Sequence, residues 1–412
     1  MKSSRFYSTS REITDNLYPT PLCFPLMGCA SMKTYPPHRN ISWFKLITPF
    51  VLTLVAEIGF SNTAAHALTF NFKPTSGTPQ KVIDGFTAAG KLWSSVLADN
   101  VTVNIDIGFG SFNPSFFGEA SPNQQLFSYT DVRAALLADQ TSPDDAIATS
   151  NLPDGSTFNL LTNYTQDNPN GVGSPAAYLD NNDSDNNSYL RVPTANAKAL
   201  GLLPSDQATS DAAIVFNNLL PWDFDRSDGV SSNTFDFVTL AAHGIGNVLG
   251  FTSGVDVLDV NSPQTVAGFD IFYPEDQLAF VTPMDLFRYS KDSVAYGEGV
   301  IDWTASKTDK YFSIDGGTTK IASFSSGFFH GDGRQARNWK DNLGLGIMDP
   351  TPQLGESLQI SDHDRQLFDA IGWDLVKSDP APTPVPEPGL INGLLVVSLF
   401  GFGSRLKRKK TN

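Results

Sequence analysis

Cysteine is nearly absent. Of 412 residues only Cys23 and Cys29 carry a thiol. Nothing after residue 29 can form a disulfide or a thiolate metal site, so the rest of the chain must fold on its core alone. Basic residues are scarce in the middle. Eleven of the 28 lysines and arginines lie before residue 58 or after residue 404, against three of the 43 acidic residues. Residues 58–404 therefore carry 17 bases and 40 acids, a net of −23. Such a surface repels phosphate backbones and anionic lipid, which excludes nucleic acid as a partner. Long apolar runs are missing too. The stretches 46–56 and 389–403 fall short of the roughly 20 residues that a spanning helix needs. Hydrophobic residues nevertheless make up 40%, enough for a large core in one or two domains.

The two ends read as addresses. Lys33, Arg39 and Lys45 precede the apolar run 46–56, and Ala65-His66-Ala67 follows it as an A-x-A cleavage site. Residues 32–67 thus have the layout of a secretory signal peptide, with Leu68 the first residue after cleavage by signal peptidase. A signal normally opens a chain, so residues 1–31 are expected to be a gene-model extension ahead of Met32. At the other end, residues 377–388 form a Pro-rich, extended linker. It closes on Pro386-Glu387-Pro388, followed by the apolar segment 389–403 and the basic tail 405–410. Residues 386–412 resemble a PEP-CTERM sorting signal. That resemblance implies processing by an exosortase and a place in the cell envelope, at the outer surface or outside the cell.

Between these ends, residues 68–376 read as one domain. Residues 68–73 predict a strand. Phe86, Ala89, Leu92, Trp93 and Leu97 recur at helical spacing. Residues 101–109 alternate apolar and polar, as a half-buried strand does. Helices are expected over 131–139, 195–202 and within 360–376, and a strand over 212–217. Residues 140–190 are rich in Asn, Asp, Ser, Gly and Pro and read as mostly loop. Within them Asp180-Asn-Asn-Asp-Ser-Asp-Asn-Asn187 offers carboxylates and amides that suit Ca²⁺, but it lacks the glycine and terminal glutamate of an EF-hand. A solvated acidic turn is the other reading.

The segment Leu240-Ala-Ala-His243-Gly244-Ile-Gly246-Asn247-Val-Leu-Gly250-Phe251 organises the domain. A zinc-peptidase helix reads H-E-x-x-H: two histidines one turn apart hold the metal, and the glutamate takes a proton from the attacking water. Here the first histidine is His243, the general-base position is Gly244, and the second ligand position is Asn247. The apolar flanks and the helix-ending Gly250 persist. A strand, Ile214-Val-Phe216, precedes the helix where zincins carry their substrate-binding edge strand. Met348 in Gly346-Ile-Met348-Asp-Pro350 follows it as a Met-turn would.

With Asp285-Leu-Phe-Arg-Tyr-Ser290, Tyr311-Phe-Ser-Ile-Asp-Gly-Gly317 and Gly331-Asp-Gly-Arg-Gln335, these features make residues 70–376 similar to a bacterial family of PEP-CTERM-bearing zinc metalloproteases. The resemblance implies an α+β, zincin-like fold with an active-site helix and a Met-turn, a zinc cofactor, and peptide hydrolysis in relatives. It places the compact third-ligand position at Ser253. The leishmanolysin-type alternative, a distant histidine before Trp-Lys, falls on Asn338. Amide oxygens are weak donors for zinc, so zinc binding here is expected to fail. His330, His363, Asp256 and Glu275 are the candidate substitutes, with His330 nearest to Asn338 in sequence. Three functions follow. The first is a catalytically dead pseudo-peptidase that holds extended peptides. The second is an active zinc metallopeptidase built on His243 with substitute ligands. The third is a calcium-binding matrix or adhesion protein.

Overall fold

The computed structural model describes residues 68–377, apart from 114–115, 261–263 and 267–268, and without the side chains of 261–271. The predicted signal peptide and sorting signal lie outside the described residues. The architecture is mixed α and β, with several small sheets.

The first layer is a four-stranded sheet. Strand β1 (Thr69–Pro74) leads through helix α1 (Gln80–Ser94) to β2 (Thr102–Gly110). The chain continues through β3 (Gly118–Pro122), β4 (Gln124–Ser128), α2 (Tyr129–Ala138), α3 (Pro143–Ser150), β5 (Leu160–Thr162), β6 (Tyr178–Asp180) and α4 (Asp185–Ser188). Strand β7 (Tyr189–Pro193), α5 (Thr194–Ala199) and β8 (Ala212–Asn217) then precede α6 (Phe237–Leu249). The sheet order is β1-β2-β8-β3. β1, β2 and β8 run parallel, with Ile107 opposite Ile214, and β3 closes the edge antiparallel, with Ala120 opposite Ile214.

This order corrects one expectation. The strand at 214–216 is central, bonded on both sides, and the edge strand beside α6 is β3. Its sequence, Gly-Glu-Ala-Ser-Pro, lacks the β-branched and aromatic residues that mark strands. The loop-like segment 140–190 also holds more regular structure than its composition predicts. Helix α3 starts at a full capping box, in which Ser142 Oγ accepts from the Asp145 N–H and the Asp145 carboxylate accepts from the Ser142 N–H. That arrangement outweighs weak helix propensity.

Helices α1 and α6 pack together over the sheet. Gly85 lets them approach, since a Cβ there would lie 2.4 Å from the Phe237 ring. Phe86 meets Phe237 edge-on with centroids 5.5 Å apart. Trp93 Nε1 donates to Ala242 O at 2.8 Å, which satisfies a buried polar atom that the core could not otherwise accommodate.

The second half adds α7 (Val255–Val260), α8 (Lys291–Tyr296) and α9 (Asp362–Ala370) around short strands. Arg288–Tyr289, Lys310–Phe312 and Ala322–Phe324 form one antiparallel sheet. Residues of the 285–290 segment serve this scaffold. Asp285 accepts from Ser253 Oγ, Gly254 N and Thr282 N. The buried Arg288 donates to Ser325 O and Ala336 O.

Lys198 on α5 is wholly buried, with Nζ 2.6 Å from Asp211 and further bonds to Thr102 O and Gln207 O. Removing one partner of such a pair strands the other charge. Lys198→Ala should lower unfolding stability by about 3–5 kcal/mol in urea titrations, with β2 and β8 losing protection from hydrogen exchange first.

Candidate functional site

Helix α6 starts where Asp236 accepts from Val238 N, with Arg226 Nε 3.0 Å from the same carboxylate. It stops at Gly250, whose φ of 131° a side chain would strain. Between these ends nearly every residue is buried, so the helix runs through the core rather than along its surface.

His243 sits in mid-helix and is partly exposed. Its Nδ1 lies 3.0 Å from Ile347 O. A carbonyl only accepts, so Nδ1 carries the proton and Nε2 keeps its lone pair. This is the tautomer in which metal-binding histidines are held. Burial, reinforced by the cation of Arg337, pushes its pKa down to about 4, although the Ile347 carbonyl opposes that shift. The ring is therefore neutral at pH 7.

Beneath it lies the turn at 346–348. A Cβ at Gly246 would lie 2.5 Å from Met348 Sδ and 3.0 Å from the Trp93 ring. Met348 is fully buried, so the predicted Met-turn residue supports the helix one turn below His243. Asp364 fixes this turn. Its carboxylate accepts from Ile347 N at 2.9 Å, Trp339 Nε1 at 2.8 Å and Ser361 N at 2.7 Å. Gly346 is required there, because a Cβ would lie 2.1 Å from Asp364 Oδ2. Sequence reading missed Asp364, although the spacing Ser361-x-x-Asp364 is a capping-box signal.

Asn247 follows His243 by one helical turn on the same face. It is 4% exposed, and its Oδ1 has no hydrogen-bond partner. Asn338 is brought to the same corner by the chain, since Trp339 N donates to Met348 O at 3.1 Å. Its Nδ2 donates to Gln335 O at 3.2 Å. Position 244 faces the sheet edge. A Cβ there would meet Ile214 at 3.6 Å and Ala120 of β3 at 3.8 Å, ordinary contacts.

The remaining candidates lie elsewhere. Ser253 is tied to Asp285 at 2.6 Å. His330 stacks on Tyr164 with centroids 4.3 Å apart, and its backbone N–H donates to Asp259. His363 sits in the first turn of α9 behind Ser361. Asp256 is buried, with Oδ1 accepting from Ala336 N and Oδ2 3.8 Å from Arg337 Nε. Burial pushes its pKa up to about 6. Glu275 accepts from Tyr178 Oη and Asn182 Nδ2. In the acidic turn, Asp180 accepts from Asn186 Nδ2, and Asn187 Nδ2 donates to Phe158 O. Among the described residues no three His, Cys, Asp or Glu side chains are grouped to hold a metal. One imidazole and two amides are a poor donor set for zinc.

The two helix glycines should respond oppositely to alanine. Gly244→Ala should raise stability by up to about 1 kcal/mol through helix propensity alone. Gly246→Ala should lower it by about 1–3 kcal/mol as Met348 and Trp93 shift. Guanidinium unfolding of both variants reads the difference.

His243 also predicts a pH effect. Its folded pKa lies below its unfolded value of 6.5, so the unfolded chain binds the extra proton. Stability is lost as pH falls from about 6.5 towards 4, by on the order of 2 kcal/mol. His243→Gln should remove that increment, measured as the wild-type-minus-variant difference in melting temperature across this window.

No protein-family model, curated protein or solved structure matches the chain.

Proposed function

We propose that this chain is an exported zincin-like peptidase homologue that has lost its metal chemistry and holds extended peptides along the open edge of β3. The observation that carries this reading is the state of the helix at its three chemical positions. His243 keeps the tautomer and the Met348 support of a ligand, while Gly244 and Asn247 stand where the base and the second ligand belong. Without a carboxylate at 244 nothing at that position takes a proton from water. Without a second imidazole one nitrogen is left to hold a metal, and Asn338 adds only another amide.

The peptide-binding half of the proposal rests on β3. Among the described residues it pairs with β8 on one side only, and it runs beside α6. An extended peptide adding to such an edge gains backbone hydrogen bonds without any metal. The Ala65-His66-Ala67 and Pro386-Glu387-Pro388 sequences support export by signal peptidase and sorting by an exosortase.

Metal analysis of the purified mature protein tests the loss of chemistry. The expected result is no zinc at stoichiometric level and no cleavage of a generic peptide library. One tightly held zinc per chain with chelator-sensitive cleavage would overturn the proposal in favour of an active peptidase with substitute ligands. The combined variant Gly244→Glu, Asn247→His, Asn338→His should bind one zinc per chain. Failure to do so would remove Asn338 as the third position.

A further inference from the structure

The open edge of β3 has a direction to its hydrogen bonding. Phe117 O accepts from Asn217 N and Asn123 N donates to Asp211 O, both at 2.8 Å, at the two ends of the registered pairs from Gly118–Phe216 to Pro122–Ala212. Hydrogen-bonded pairs alternate along an antiparallel ladder, so Glu119 and Ser121 spend their N–H and C=O groups on β8. The backbone groups of Gly118, Ala120 and Pro122 point the other way. Proline has no N–H, so the donors on the open side belong to Gly118 and Ala120. An added strand is therefore held towards the start of β3, where the chain arrives from Phe117.

That end meets an apolar shelf. Phe116 is 42% exposed and Leu219 is 58% exposed. One buried side chain fixes the backbone under both. Asn217 Nδ2 donates to Phe116 O at 2.9 Å, and Asn217 Oδ1 accepts from Leu219 N at 3.1 Å. Asn217 is itself wholly buried, and its carbonyl accepts from Trp222 Nε1 at 2.6 Å. Next to the shelf, the half-buried Phe117 meets Phe235 edge-on with centroids 4.8 Å apart. The two exposed side chains thus stand on fixed backbone, and covering them orders little that is not ordered already.

The charge at this edge has one sign. Glu119 is exposed and is the only ionisable residue of β3, with Oε1 accepting from Ser121 Oγ at 2.9 Å. Residues 58–404 carry a net charge of −23. A second copy of this chain on the edge would bring like charge to like charge, whereas a cationic segment would not.

We propose that β3 selects a cationic, extended peptide, which pairs with Gly118 and Ala120 and lays one large apolar side chain across Phe116 and Leu219. This rests on the proposal that β3 holds peptides, and it names the class of peptide held. The backbone bonds accept any extended chain. The shelf and Glu119 make the choice among them.

Fluorescence anisotropy with a labelled peptide of about ten residues, enough to span a strand, tests the assignment. The peptide is built from Lys, Thr and Ala around one central Phe, and its partner has Ala in place of that Phe. The Phe peptide should bind about tenfold more tightly. Leu219→Ser should cut that preference to below about threefold. Ile147→Ser, at an exposed position on α3, should keep it. N-methylation of alternate residues of the Phe peptide removes every second N–H. It should weaken binding about tenfold in one of its two registers and leave it largely intact in the other. Equal affinity for the two peptides, with the N-methyl pattern retained, overturns the shelf and leaves peptide holding by β3 in place. Failure of both peptides to bind overturns both. A Phe preference that survives Leu219→Ser, or binding that N-methylation weakens in neither register, puts the contact elsewhere and overturns the assignment. A dimer in sedimentation velocity that dissociates on adding the peptide would make a second copy the occupant, and would also overturn it.

Discussion

The Asp364 carboxylate holds the site together. It is fully buried and gathers donors from three segments: the turn at Ile347, the loop at Trp339 and the start of α9 at Ser361. Burial pushes its pKa up, and those donors pull it back down. Ile347 in turn accepts from His243, and Met348 packs under Gly246. The orientation of the His243 ring is therefore set by a residue more than a hundred positions away, through one peptide unit. Charge-assisted bonds of this kind are stronger than neutral ones, and leaving them unmade in the interior is costly. The turn, the loop and α9 therefore have little freedom to move separately.

That arrangement separates the positions that are packed tight from those that are not. Asp364, Met348, Gly246 and Gly346 are locked by close contacts with one another, so a change at any of them is felt throughout the core. Positions 244 and 247 are not locked in this way. A side chain at 244 has ordinary room towards Ile214 and Ala120. Asn247 leaves an amide oxygen without a partner, a burden of about 1–3 kcal/mol. The residues that shape the helix are thus held by stability, whereas positions 244 and 247 are not.

The sequence discloses those parts of this arrangement that rest on local pattern. The apolar spacing of α1 and α6, the alternation of β2 and the glycine ending α6 all follow from periodicity and backbone conformation. Met348 was legible from its distance to the helix and its turn-like surroundings. What stayed hidden depends on long-range pairing. Strand β3 has little strand propensity and exists because β8 pairs with it. Strand β8 reads as an edge only until β2 and β3 are known to flank it. Asp364 looks like a helix cap, which it is, but its bonds to Ile347 and Trp339 cross the chain and leave no local trace.

The acidity of the chain limits how its buried carboxylates can be stabilised. Between residues 58 and 404 there are 40 acids and 17 bases, so most carboxylates cannot find a cationic partner. Two of the lysines are consumed inside the fold, Lys198 on Asp211 and Lys310 on Asp302. Other aspartates, such as Asp236 beside Arg226 and Asp309 beside Lys320 and Lys340, take partly exposed cations, and some buried ones rely on neutral donors. Asp285 and Asp364 are stabilised by N–H and O–H groups, which solvate a carboxylate without cancelling its charge. That strategy works for one buried carboxylate at a time.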